Sequence, residues 1–257
     1  MTTLAMTTNL QPLSGKTVLV TGAAKRLGRA IALAAAENGA NVAITYRESA
    51  REARAAIGEL AQRGSDALAV RCDVTDETSV REMVKEVAGM LGAIDVLVNN
   101  AANYEAVEFQ KLTLVQWDAI FASNTRGPFL VSREALPHLR KRRGRIVNMG
   151  SLGGLRPWAT HAHYCSSKAA VHMLTKVMAK ALAPQIAVNA VAPGMIDLRD
   201  KAGDAFLKRM AKQTPMRRNG TAADIAAAVM FFSTAPSFIT GQVLAVDGGI
   251  GLSQAHF

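Results

Sequence analysis

Residues 17–29 run TVLVTGAAKRLGR. The apolar, β-branched run Thr17–Thr21 reads as a strand. An Ala-rich stretch from Arg26 to Asn38 carries apolar residues at helical spacing until Gly39 stops it. Gly22 permits the tight turn between them, and Gly28 lets helix and strand approach closely. A helix starting over such a turn presents its N-terminus to a pyrophosphate. A Gly-rich turn alone says little, because many strand–helix turns need Gly for geometry. Here strand and helix flank it in the required order.

The alternation continues outward from this unit. Asn41–Tyr46, Ala67–Arg71, Ile94–Asn99, Arg145–Met149, Ile186–Val191 and Val243–Val246 read as strands. Helices are expected over Ser49–Arg63, over Asp76–Leu91 with Asp76 as cap, as one long stretch over Leu114–Arg142, and over His163–Leu182. Continuously apolar strands alternating with helices imply an α/β fold whose parallel sheet is covered on both faces and joined by right-handed crossovers. Residues 193–218 look irregular, and long loops in compact domains often serve as lids. Within them Met195, Phe206, Met210 and Met216 either line a substrate site or simply pack.

Composition narrows the class. A chain of 257 residues, 49% of them apolar, can build one α/β domain with a large core. No apolar run is long enough to cross a bilayer. Met1–Leu13 reads as a loose leader, lacking both the basic start and the apolar core of a signal peptide. The two cysteines, Cys72 and Cys165, lie far apart, which argues against a disulfide framework and a Cys-based zinc site and for a reducing, cytoplasmic setting. His161 and His163 have no carboxylate or Cys at ligand spacing, so both are expected at a pocket rim or on the surface, and no metal is expected. The net charge of +10 raises the question of nucleic acid. Yet the densest basic run, Arg140, Lys141, Arg142, Arg143 and Arg145 around Gly144, is what a helix C-terminus favours, and no aromatic residues interleave with it to stack on bases.

The end of the second strand bears on the cofactor. A site preferring NAD usually carries an acid there to hold the ribose 2′-hydroxyl. This chain has Tyr46-Arg47-Glu48-Ser49. Arg47 can pair with a 2′-phosphate, Ser49 can hydrogen-bond it, and Lys25 adds charge, which favours NADP(H). Glu48 is discordant, and an ordinary solvated basic loop is the alternative. Asp73 either accepts from an adenine amino group or serves a turn. Asn99-Asn100-Ala101 ends the fourth strand, where Asn side chains can brace the crevice.

Chemistry is suggested by Tyr164-Cys165-Ser166-Ser167-Lys168 at the start of a helix. Four-residue spacing puts phenol and ammonium on one face. A nearby cation favours the phenolate and is expected to bring the Tyr pKa down from ~10 toward the working range, making Tyr164 a usable proton donor. Such a pair also arises by chance, with Tyr packing and Lys snorkelling. Ser151 closes the fifth strand and can hydrogen-bond the reacting oxygen, and Asn124 can hold a water that relays protons to Lys168. A non-catalytic NADP(H)-binding regulator would need none of these four.

Taken together, Thr21-Gly22…Gly28, Asp73, Asn99-Asn100-Ala101, Asn124, Ser151, Tyr164, Lys168, Pro193-Gly194 and Val246-Asp247-Gly248-Gly249 resemble the short-chain dehydrogenase/reductase family over nearly the whole chain. The resemblance implies a single domain over residues 1–257 with a Rossmann-like, doubly wound, seven-stranded parallel sheet in three layers. It implies an Asn124–Ser151–Tyr164–Lys168 proton relay, a homotetramer built through the two long helices, and a small-molecule substrate. It adds Leu27, Val74, Asn99, Ala101, Pro193, Gly194 and Ile196 to the cofactor contacts. Three positions depart from the usual pattern: Arg26 and Ala102 stand where Gly is common, and Leu198 where Thr is common. Arg26, Leu198 and the aromatic Tyr104 resemble pteridine reductases, which implies a flat substrate stacked on Tyr104 with Arg26 at its polar edge, a C=O or C=N receiving the hydride. Ser151 points elsewhere, because pteridine reductases generally carry Asp there, whereas Ser is typical of 3-oxoacyl-carrier-protein reductases.

Overall fold

The computed structural model describes residues 11–198 and 204–252. Seven strands, β1 (Thr17–Val20), β2 (Asn41–Tyr46), β3 (Ala67–Arg71), β4 (Val96–Asn99), β5 (Arg145–Met149), β6 (Ala187–Pro193) and β7 (Val243–Val246), form one parallel sheet in the order β3-β2-β1-β4-β5-β6-β7. The order reverses between β1 and β4, which opens a crevice at the carboxyl ends of these strands.

Successive side chains on each strand enter different cores. Val18, Val42, Val96 and Val147 face α1 (Arg26–Glu37), α2 (Ala50–Gln62) and α8 (Ala222–Thr234), where Ile31, Leu60 and Ile225 are fully buried. Leu19, Ala43, Leu97 and Ile146 face α3 (Glu77–Leu91), α5 (Gly127–Arg142) and α6 (Ala162–Leu182), with Met83 and Leu139 filling that side. With both faces covered, the strands need no polar alternation. No helix among the described residues is long and apolar enough to cross a membrane.

The elements depart from sequence expectation in four places. The stretch 114–142 is three pieces, α4 (Leu114–Phe121), a π-helical turn (Ala122–Arg126) and α5. The irregular stretch 193–218 contains α7 (Ala205–Gln213), capped by Asp204, while residues 199–203 lie outside the described residues. Helix α8 follows it, although no element was expected there. The leader ends sooner than Leu13. That residue is fully buried and its N–H donates to Asn38 O at 2.9 Å, so apolar burial ties it to the domain. Residues 1–10 lie outside the described residues.

Candidate active site

The first half of the site is the crevice above β1, β2 and β4. Thr21 Oγ1 accepts from the backbone N–H of Asn100 (2.9 Å) and Ala101 (3.0 Å). Asn100 Nδ2 returns bonds to Thr21 O (2.8 Å) and Gly22 O (3.0 Å), and Gly22 N–H donates to Thr45 Oγ1 (3.0 Å). This brace holds open a cavity of about 320 Å³. Gly22, Lys25, Arg26, Leu27, Gly28, Arg47, Asp73, Val74 and Ala101 line it as expected, together with Asn100, Asn103 and Leu198. A Cβ at Gly28 would sit 2.7 Å from both Ala23 Cα and Gly22 O, so only Gly permits this approach. Arg26 holds φ at +55°, the left-handed region, at the position where the family usually has Gly. Among the described residues no side chain caps the N-terminus of α1, and no acid lies in its first turn, so its free N–H groups suit a pyrophosphate.

Charge in this cavity favours an anionic ligand. Lys25, Arg26 and Arg47 share its wall. Arg47 also pairs with Glu48 at 3.3 Å, both side chains being largely exposed. Asp73 Oδ1 accepts from Thr75 N (2.9 Å) and Thr75 Oγ1 (2.8 Å). Burial raises its pKa, but these bonds and the charges of Arg47 and Arg71 outweigh burial and hold the carboxyl below its usual range.

Several residues expected to contact the cofactor do not line this cavity. Ser49 is the N-cap of α2, off the cavity wall. Asn99 turns into the core, donating to Ser132 Oγ (3.0 Å) and Asn148 Oδ1 (2.8 Å), because strand alternation sends Asn99 and Asn100 to different sides. Pro193, Gly194 and Ile196 lie beyond this cavity. Gly194 packs on Asp247, and Ile196 pairs with Gly220 and packs on the core.

The second half of the site is where β5 meets α6. Ser151 is buried, and its Oγ accepts from Gly153 N at 3.0 Å. Ser151 lies close enough to the Tyr164 phenol to favour its ionised form. Lys168 Nζ is buried, lies 5.9 Å from the centre of the Tyr164 ring and donates to Met149 O at 2.8 Å. Three of the four relay residues are thus together. Their electrostatics differ from expectation. Burial pushes the Tyr164 phenol up to about 12, against the opposing influence of Ser151, and pushes the Lys168 ammonium down to about 8. Desolvation therefore outweighs the attraction between phenolate and ammonium.

Asn124 lies in the π-helical turn. Its Nδ2 donates to Asn103 O (2.9 Å) and Ser167 Oγ (3.1 Å), while its Oδ1 accepts from Asn103 N and Ser123 Oγ, each at 2.8 Å. Four bonds saturate the side-chain amide, so a water held at Asn124 would have to bind its backbone. The amide joins α6 to the loop after β4.

Beside Tyr164 opens a second cavity, of about 500 Å³. Three of its wall residues contact the Tyr164 ring: Tyr104 (centroids 4.9 Å, edge-on), Trp158 (6.1 Å, stacked) and His161 (6.3 Å). Met195, Phe206 and Met210 also line it, whereas Met216 is largely exposed and lies off its wall. His161 is on the wall as expected. His163 is fully buried, its Nε2 3.7 Å from Glu105 Oε2, so the expectation of a rim or surface position fails there. Arg26 and Tyr104, expected to share one substrate, face different cavities, and Tyr104 Oη is engaged with His161 Nε2 at 2.7 Å.

Residues 22–251 match the family described as Enoyl-(Acyl carrier protein) reductase. A short-chain dehydrogenase/reductase from Serratia marcescens superposes with a TM-score of 0.88 at 34% identity, over 93% of this chain and 99% of that one. The chain is a short-chain dehydrogenase/reductase. As such it is an oxidoreductase. A blue fluorescent protein from a metagenomic library, solved in complex with NADPH, is a further structural neighbour of this dehydrogenase/reductase (TM-score 0.87, 34% identity, 93% and 99% covered). Among curated relatives, 3-oxoacyl-[acyl-carrier-protein] reductase FabG of Staphylococcus aureus is 40% identical over 91% of this chain and 98% of its own. The Synechocystis 3-oxoacyl-[acyl-carrier-protein] reductase is 34% identical over 93% and 98%. These relatives match the reading that Ser151 favoured, over the pteridine-reductase resemblance.

Proposed function

We propose that this oxidoreductase reduces the ketone of a 3-oxoacyl thioester or a closely similar carbonyl, using NADPH. The observation that carries the reading is the buried Ser151 beside Tyr164, with the Lys168 ammonium 5.9 Å from the Tyr164 ring. The cofactor is NADP(H). The Gly22–Gly28 turn and the uncapped end of α1 would hold its pyrophosphate, and Arg47 would hold its 2′-phosphate. When bound, the reduced nicotinamide supplies hydride to the carbonyl carbon. Ser151 donates a hydrogen bond to the carbonyl oxygen and orients it. Tyr164 O–H donates the proton to that oxygen, and Lys168 stabilises the phenolate left behind. The second cavity takes the rest of the substrate, with Tyr104 shaping its entrance.

The edge-on Tyr104 and its bond to His161 support a ketone over a flat pterin, as do the separate cavities of Arg26 and Tyr104. The whole chain works as one catalytic domain in a reducing cytoplasmic setting, with Cys72 and Cys165 as free thiols and residues 193–218 as substrate loop. It assembles as a homotetramer, for which the exposed Phe129 of α5 and Met173 and Val177 of α6 provide apolar faces. NADPH oxidation is to be followed with a 3-oxoacyl-coenzyme A thioester, a dihydropterin and a quinone. Turnover of the thioester alone is expected. Preferred turnover of the dihydropterin, raised further by Ser151→Asp, would overturn the proposal.

A further inference from the structure

The loop that leaves β5 is held from beneath by α6. Tyr164, Lys168 and His172 recur at four-residue spacing and so form one stripe of that helix. Lys168 Nζ donates to Met149 O at 2.8 Å, and Ser151 N–H donates to His172 Nε2 at 3.4 Å. The two backbone groups flanking Gly150 are thereby tied to consecutive turns of one helix. The imidazole is buried and occupies a notch bounded by two glycines. A Cβ on Gly150 would collide with His172 Nε2, and one on Gly154 would lie 2.7 Å from His172 Cε1. Loop and ring therefore fit only because both glycines lack side chains.

We propose that His172 is a positioning residue for Ser151: a neutral imidazole, unprotonated at Nε2, that sets the turn from which the serine hydroxyl meets the Tyr164 phenol and the substrate oxygen. The proposal rests on the Ser151–Tyr164–Lys168 reading given above. Its electrostatics are consistent. Acceptance from Ser151 N–H needs a lone pair on Nε2, and an imidazolium one turn from the Lys168 ammonium would be repelled. Burial and the charges of Lys168 and Lys176 outweigh the opposing backbone contact at Gly154 and hold the His172 pKa at about 4, so the acceptor persists across the neutral range.

The test compares His172→Leu, which fills the notch without an acceptor, with His172→Gln, which keeps one, each alone and combined with Ser151→Ala. The readouts are kcat, KM for NADPH and KM for a 3-oxoacyl thioester. His172→Leu is expected to lower kcat about fivefold to tenfold, as for loss of one modest hydrogen bond, with KM for NADPH unchanged. His172→Gln is expected to recover most of that rate. In the Ser151→Ala background His172→Leu should cost less than about twofold, because the group it acts through is gone. Equal losses in Leu and Gln variants, or the same loss with and without Ser151, would reduce His172 to packing and overturn the proposal. Full activity in Ser151→Ala would instead overturn the catalytic reading, and this proposal with it. Should His172→Leu fail to fold, nitrogen NMR of histidine-labelled wild-type protein decides. Nε2 of His172 is expected as the unprotonated nitrogen at neutral pH, and a protonated Nε2 would refute the assignment.

Discussion

Lys168→Met is expected to make the protein more stable while removing its activity. Lys168 is 4% exposed, and burial lowers its ammonium from 10.5 to about 8. At ~1.4 kcal/mol per pH unit, that corresponds to roughly 3 kcal/mol against folding with the charged side chain, nearly all of it present at pH 7. Methionine has a similar unbranched stem and no charge to desolvate. The variant also strands Met149 O, which now accepts from Lys168 Nζ at 2.8 Å, at a cost of about 1–2 kcal/mol. The net gain is therefore about 1–2 kcal/mol at pH 7, or a melting temperature higher by roughly 3–6 °C. The sign reverses with alkali. Between about 8 and 10.5 the unfolded chain still binds the Lys168 proton and the folded chain does not, so wild type gains stability as pH rises and the variant does not. Thermal unfolding of both proteins across that range checks the argument. An offset that stays constant, or a variant less stable than wild type at pH 7, would refute it. Turnover is expected to fall by at least ~10²-fold, as for loss of a group that stabilises transition-state charge.

Four further outcomes follow from the site. Tyr164→Phe should lower kcat by ~10²–10⁴-fold with NADPH affinity within about twofold of wild type, and a substantial residual rate would show that another group supplies the proton. Arg47→Asp should erase or reverse a preference for NADPH over NADH of at least ~10-fold, since one charge-assisted contact is worth roughly 1.5–3 kcal/mol; titration of both cofactors reads this directly. Gly28→Ala, whose Cβ would sit 2.7 Å from two backbone atoms, should cost ~1–3 kcal/mol in denaturant unfolding and weaken NADPH binding at least about tenfold. In pH–rate measurements, kcat/KM should decline above about 8 as Lys168 loses its proton, whereas a flat profile would place the essential ammonium elsewhere.

Much of this architecture is legible in the residues alone, and the exceptions have physical causes. Strands β1 to β6 announce themselves as apolar runs between helices, because a sheet covered on both faces needs no polar residues. That same continuity hides which side a strand-end residue takes, so Asn99 and Asn100 look equivalent although one enters the core and the other braces the crevice. Helix α8 is hidden for the same reason. Its sequence AADIAAAVMFFST is apolar nearly all round, with no one-sided stripe, and only the capping box of Thr221 and Asp224 marks its start. Helix α7 did leave a signal, Asp204 followed by Phe206 and Met210 at helical spacing, obscured by the Gly and charged residues before it. Tyr164 and Lys168 stand out by their spacing. Their protonation does not, because the burial that decides it is a property of the assembled loop and helix. His172 gave no local sign of its contact with Ser151, which spans 21 positions.

The π-helical turn at Ala122–Arg126 has a consequence for how this protein can evolve. A π turn amounts to one residue more than an α-helix requires. Deleting a single residue between Ala122 and Arg126 would let the segment relax into regular α-helix, turning α4 by about 100° and drawing it back by ~1.5 Å relative to α5. The stacked pair Trp117–Phe121 would swing with it, and Asn124 could no longer keep all four of its partners. Exposed Arg126 should accept replacement freely, while a one-residue deletion beside it should be ruinous even if every named site residue survives. At this point in the chain, the count of residues constrains the chemistry as firmly as their identity.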